Sequence, residues 1–237
     1  MTAGRAAPDG PVWDRPEPPP RKALSPLSRE RIVTAAVALA DADGLDAVSL
    51  RKVGAALDAG PMRLYGYLST KDELFDLMAD AVFSEIVVPA DAGWREALRA
   101  LATGTRAATL RHPWFTELAG GRPHIGPHAM AVSEAVLEAL DRSGRFAGID
   151  EMVIAQQTVN AYVVGSVRRE VAERRAELAS GLTEREWQAA SGPYMMRMLA
   201  TGRYPMLARF VHDGADRDPD EWFTAGLERV LDGIGHA

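Results

Sequence analysis

From Ser28 to the C-terminus, apolar positions recur at three- and four-residue spacing, and no stretch shows the strict alternation of a half-buried strand. Ser28 stands as an N-cap before a helix whose inner face is Ile32, Val33, Ala36, Val37 and Ala40. Asp43-Gly44-Leu45 ends it, with Gly44 suited to the left-handed position. Ser49 caps a short second helix carrying Leu50, Val53, Ala56 and Leu57, and Asp58-Ala59-Gly60 breaks it. Pro61 opens a third helix running to about Leu68. Thr70-Lys71-Asp72-Glu73 reads as a capping box before a fourth, with Leu74, Leu77, Met78, Ala81 and Val82 on one face.

Further helices are expected at Trp94 to about Leu110, Pro127 to about Arg142, and about Asp150 to Leu178. Thr183-Glu184-Arg185-Glu186 is a second capping box, and a short helix is expected from Pro205 to Val211. Asp218-Pro219-Asp220-Glu221 starts the last, whose apolar positions are Trp222, Phe223, Leu227, Val230, Leu231 and Ile234. The fold class is therefore all-α. Residues 1–27 differ: they hold seven of the 15 prolines, show no periodicity and read as a disordered, Pro-rich tail. Its Arg5, Arg15, Arg21 and Lys22 are an arm that could follow a nucleic-acid backbone, or merely solvated charge.

Composition narrows the function. The 237 residues are 47% apolar and 25% charged, as in a soluble globular protein. Cysteine is absent, which excludes disulfides, thiolate catalysis and cysteine-ligated metal sites. No apolar run is long enough for a membrane span and no signal-peptide stretch precedes the helices, so a cytoplasmic location is expected. The net charge of −6 does not itself suggest nucleic acid. Between Ala47 and Lys71, however, Arg51, Lys52, Arg63 and Lys71 face a single acid, Asp58.

That basic window coincides with the paired short helices. Two short helices across a three-residue break form a helix-turn-helix, which frees the outer face of its second helix for the major groove. Arg63, Tyr65 and Tyr67 are then placed to reach bases or phosphates. Further along, Glu151 and Arg168 enclose 16 uncharged positions rich in Val and Ile. A helix apolar on several faces is buried on several faces, inward on its own domain and outward on a second subunit. Catalytic patterns are lacking: there is no GxSxG, GxGxxG, phosphate-loop or HExxH sequence. His124 and His128 have a metal-compatible spacing, but Gly126 and Pro127 lie between them. No enzyme activity, cofactor or metal is expected, with a helical enzyme or an interaction scaffold as the alternative class.

Leu27 to Ala81 resembles the DNA-binding domain of the tetracycline-repressor (TetR/AcrR) family. The resemblance runs through Ser28-Arg29-Glu30-Arg31-Ile32, Gly44 to Arg51, Leu64-Tyr65-Gly66-Tyr67-Leu68 and Lys71-Asp72-Glu73-Leu74. Arg111-His112-Pro113-Trp114, Gly126-Pro127, Ala161 to Gly165, Tyr204-Pro205 and Gly226 to Ile234 are similar to the ligand-binding domain of its tetracycline-repressor branch. Departures are Asp58 and Gly60 where the family often has Gly and a Ser or Thr cap, and Gly66 where a larger residue is common. The resemblance implies a helix-turn-helix domain over 28–74 joined to an effector-binding and dimerisation domain over 75–237. It implies DNA contact by Ser49, Arg51, Pro61, Met62, Arg63, Tyr65, Tyr67 and Lys71. It implies effector contact from among His112, Trp114, Phe115, Met130, Gln157, Asn160, Tyr162 and Trp187, with His112 and Trp114 at the pocket entrance. The partners expected are a double-stranded operator, a small-molecule effector and a second copy of the chain, with no membrane. The expected output is repression relieved by the effector, with activation as the alternative.

Overall fold

A computed structural model describes residues 11–18, 27–118, 123–215 and 217–235. Helix is the only extended regular structure among them: α1 (Arg29–Asp43), α2 (Leu50–Ala56), α3 (Pro61–Leu64), α4 (Lys71–Phe83), α5 (Trp94–Arg111), α6 (Phe115–Leu118), α7 (Pro127–Arg142), α8 (Ile149–Ser180), α9 (Glu184–Leu199), α10 (Pro205–Asp213) and α11 (Pro219–Gly235). The chain divides into two compact units, 1–164 and 165–237, with the division inside α8. No helix among the described residues is long and apolar enough to cross a membrane.

The caps explain the boundaries. Ser28 Oγ accepts from the Arg31 amide at 3.2 Å, and Ser49 Oγ from the Lys52 amide at 3.3 Å. Gly44, at φ 82°, stops α1. At Thr183 and at Asp218 the capping box closes both ways. At Thr70 it does not. Thr70 Oγ1 accepts from the Glu73 amide at 3.1 Å, but Glu73 turns its carboxylate to the Ser69 amide at 2.6 Å and to Arg15.

That last contact corrects the reading of the tail. Residues 12–14 form a 3-10 turn with Val12 buried, and Arg15 ion-pairs with Glu73 while donating to Ser69 Oγ at 2.5 Å. An arginine so held is anchored to the fold rather than following a nucleic acid. The rest of the expected tail, 1–10 and 19–26, lies outside the described residues.

The third helix is shorter than expected. After Leu64 the chain tightens: Gly66 donates to the Arg63 carbonyl and Tyr67 to the Leu64 carbonyl, both three-residue bonds. Gly66, a poor helix former, sits within this turn. The break before α3 follows the sequence, since Asp58 takes the left-handed conformation at φ 50°. Gly54 is required there as well: a Cβ on it would lie 2.5 Å from the Ala59 carbonyl oxygen.

Within the first unit α4 is central, packing on α1 and on α5, α6 and α7. Small residues, Ala97 on α5 and Ala139 on α7, are buried in one cluster with Ala92. The uncharged part of α8 buries Met152, Ala155, Gln156, Val159 and Val163, and leaves Val153 and Ile154 exposed. In the second unit Val167 and Val171 of α8 and Phe223, Leu227 and Leu231 of α11 are buried. There α9 and α10 expose Tyr194, Met195, Met206 and Phe210.

Candidate functional site

The basic window folds into one outward face. Pro61, Met62, Arg63 and Tyr65 are exposed on α3 and the turn after it, with Arg51 and Lys52 exposed on α2 and Lys71 at the start of α4. Leu64 and Leu68 point inward, fully buried. The Lys71 ammonium lies 4.8 Å from the centre of the Phe75 ring, so its stem is held while its charge stays in solvent. Ser49 caps α2.

Tyr67 is a correction. It lies three residues after Leu64, on the same inner face, and is buried. Its hydroxyl donates to the Leu27 carbonyl at 2.7 Å, and its own carbonyl accepts from Arg29 Nε at 3.0 Å. The hydroxyl expected on a phosphate instead pins the end of the helix-turn-helix to the start of α1. The helical spacing Leu64–Tyr67–Leu68 was the available signal.

A cavity of about 400 Å³ lies deeper in the same unit. Helix α4 gives Phe83, α5 Leu101 and Thr105, α6 Phe115, and α7 Ala129, Val132 and Ser133. Pro123 and His124 precede α7, and α8 closes the far side with Gln156, Gln157, Asn160, Ala161 and Val164. None of these is Asp, Glu, Lys or Arg. The size and the apolar wall with a few placed polar groups suit a small organic molecule. Gln156 is oriented by Ser133, its amide nitrogen donating to Ser133 Oγ at 3.1 Å. His124 sits against Phe83 and Phe115, with ring centres 5.3 and 6.2 Å away.

Of the residues expected to meet an effector, Phe115, Gln157 and Asn160 line this cavity; His112, Trp114, Met130 and Tyr162 do not. Met130 faces outward, 58% exposed, and Trp187, in the second unit, is 57% exposed. His112 and Trp114 are buried for another reason. His112 Nδ1 lies 2.7 Å from Asp41 Oδ1 and Nε2 3.0 Å from Glu85 Oε1, while Trp114 Nε1 donates to the same Asp41 oxygen at 2.6 Å. The pair ties the end of α1 to the chain after α4. Spacing shows burial, but not whether a buried ring faces a carboxylate or an empty space.

His128 does not join His124 as a ligand pair: its Nδ1 faces Asp80 Oδ2 at 2.9 Å. Among the described residues no group of three or more His, Asp or Glu is placed to hold a metal. Asp80, buried on α4, also accepts from the His128 and Ala129 amides at 3.0 and 2.9 Å, capping α7 from outside.

Residues 88–237 match the model for the tetracyclin repressor-like C-terminal domain. The chain is 41% identical to the HTH-type transcriptional repressor DrrR1 of Streptomyces coeruleorubidus, covering 94% of this chain and 83% of that one. The chain belongs to the tetracycline-repressor family. A second relative is an HTH-type transcriptional regulator of Saccharopolyspora erythraea, 39% identical over 95% of this chain and 91% of its own. The structure superposes on apo ActR of Streptomyces coelicolor with a TM-score of 0.72 at 27% identity, covering 90% of this chain and 96% of that one. ActR is also known in complex with actinorhodin. Like others of the tetracycline-repressor family, the chain is a transcriptional regulator; such proteins are dimers that bind operator DNA and small-molecule ligands.

Proposed function

We propose that the chain is a homodimeric, cytoplasmic, non-enzymatic repressor that leaves a palindromic operator when a small molecule enters the cavity. One observation carries this: α4 reaches from the DNA face to the cavity. Lys71 begins it beside the exposed α3, and Phe83 ends it in the cavity wall. Twelve residue steps along an α-helix span ~18 Å. A ligand that shifts Phe83 therefore shifts the recognition helix as part of the same body. Moving two such helices apart breaks their fit to half-sites one helical turn apart, about 34–36 Å. In function the division falls near 74/75, with residues 28–74 reading DNA. Residues 75–237 take the effector and, through α8 and α11, the second subunit; exposed Val153, Ile154 and Trp222 supply apolar surface for that contact.

Operator selection from a random duplex pool supplies the test. Arg63 should read a base: Arg63→Ala is expected to cost about 1–3 kcal/mol on the selected operator and to relax one position of the consensus. Lys71→Ala should weaken selected and random DNA alike and lower the slope of log affinity against log salt by about one unit. Equal loss on both DNAs for Arg63→Ala would remove Arg63 from base reading. A protein monomeric at micromolar concentration would end the dimer reading.

A further inference from the structure

The cavity holds one polar atom that the fold does not use. His124 Nε2 is buried and has no hydrogen-bond partner among the described residues. Its ring is half-stacked on Phe115, at 29° between planes, and tilted at 55° to Phe83. A buried imidazole nitrogen without a partner carries an unmet desolvation cost, which a bound group can relieve. The neighbouring wall carries only neutral amides and hydroxyls, Gln157, Asn160 and Thr105 among them.

We propose that His124 is the recognition residue of the cavity, and that it selects flat aromatic molecules bearing a free phenolic hydroxyl. The aromatic part follows from Phe83 and Phe115, which present ring faces and edges to one volume. The hydroxyl follows from the chemistry of the orphan nitrogen. A phenol donates to Nε2 of the neutral ring, and a phenolate accepts from Nε2–H of the protonated ring. One ligand group thus satisfies the nitrogen in either state, with the proton passing between the phenolic oxygen and Nε2. Asp76 on α4 lies within electrostatic reach of the ring; its carboxyl is raised by burial, against the opposing pull of His124. Recognition at His124 is therefore felt by a charge on the helix that leads to the DNA face.

This inference rests on the cavity being the effector site, and the experiment separates the two. The full-length protein is titrated calorimetrically with 2,6-dihydroxyanthraquinone, its dimethyl ether and unsubstituted anthraquinone. Wild type should bind the dihydroxy probe about tenfold more tightly than the ether, the order of one desolvated hydrogen bond. The bound dihydroxy probe should also show a red-shifted visible band. His124→Phe, which keeps the flat apolar ring, should bring the ratio to about one and abolish the shift, while His124→Gln should retain part of the preference. A ratio near one in wild type, a preference that survives in His124→Phe and His124→Gln, or no binding by any probe would overturn the proposal. Ala161→Trp, on the α8 side of the cavity, should weaken all three probes. If it leaves their affinity unchanged while the hydroxyl preference persists, the cavity reading fails and the probes bind elsewhere.

Discussion

Asp80→Ala is expected to lower the unfolding free energy by about 3–5 kcal/mol in urea titrations. The carboxylate is buried and accepts two amide hydrogens at the start of α7 as well as facing the His128 ring. Alanine leaves those helix-end amides without an acceptor and the imidazole without its counter-charge. Each charged hydrogen bond of this kind contributes about 1.5–3 kcal/mol, and loss of a cap alone about 1 kcal/mol. Gly126 provides an independent check, because a Cβ there would overlap the Asp80 carboxyl group. Gly126→Ala must displace the same carboxylate, so the double variant should be little worse than the poorer single one. A loss below about 1 kcal/mol for Asp80→Ala would show that α7 is capped by something else. Because Asp80 joins α4 to α7 next to the cavity wall, partial replacement with Asn should also alter the coupling between ligand and operator. By linkage, operator must change ligand affinity by the factor that ligand changes operator affinity.

His112→Ala should cost about 2–3 kcal/mol, again read from urea unfolding. The ring lies between two carboxylates, and both contacts are hydrogen bonds only when both ring nitrogens carry protons. Removing it leaves Asp41 and Glu85 without that cation, although Trp114 still donates to Asp41 and Arg111 still pairs with Glu85. The carboxylates are about a third exposed, with side-chain values of 34% and 29%, so water offsets part of the loss. A double-mutant cycle with Asp41→Asn isolates the direct term, and a coupling of about 1–2 kcal/mol is expected. Asp41 lies in the last turn of α1, so the same variant should loosen the DNA-binding helices and weaken operator binding. Unchanged stability would mean that the contact contributes nothing to holding α1.

The sequence alone determined the helices, their caps and the position of the helix-turn-helix, because these are set by neighbours within a few residues. Ser28, Ser49 and Thr183 cap as their spacing demanded, and Asp58 takes the left-handed turn that Asp tolerates. Arg63 and Tyr65 are exposed because they alternate with Leu64 around a helix. Where a side chain has a choice of distant partner, local pattern was silent. Glu73 closes onto Ser69 and Arg15 rather than onto the Thr70 amide. Tyr67 looks inward to Leu27, 40 residues away. His112 and Trp114 meet Asp41, 71 and 73 residues away, instead of the cavity. The cavity wall itself is assembled from five helices and the approach to α7, each giving one to five residues. His124 carried no motif that marked it. Its unpartnered nitrogen exists only because packing brought two phenylalanines to the ring and no donor or acceptor. Periodicity records which face of a helix avoids water; only tertiary packing decides whether that face meets a neighbour or encloses a space.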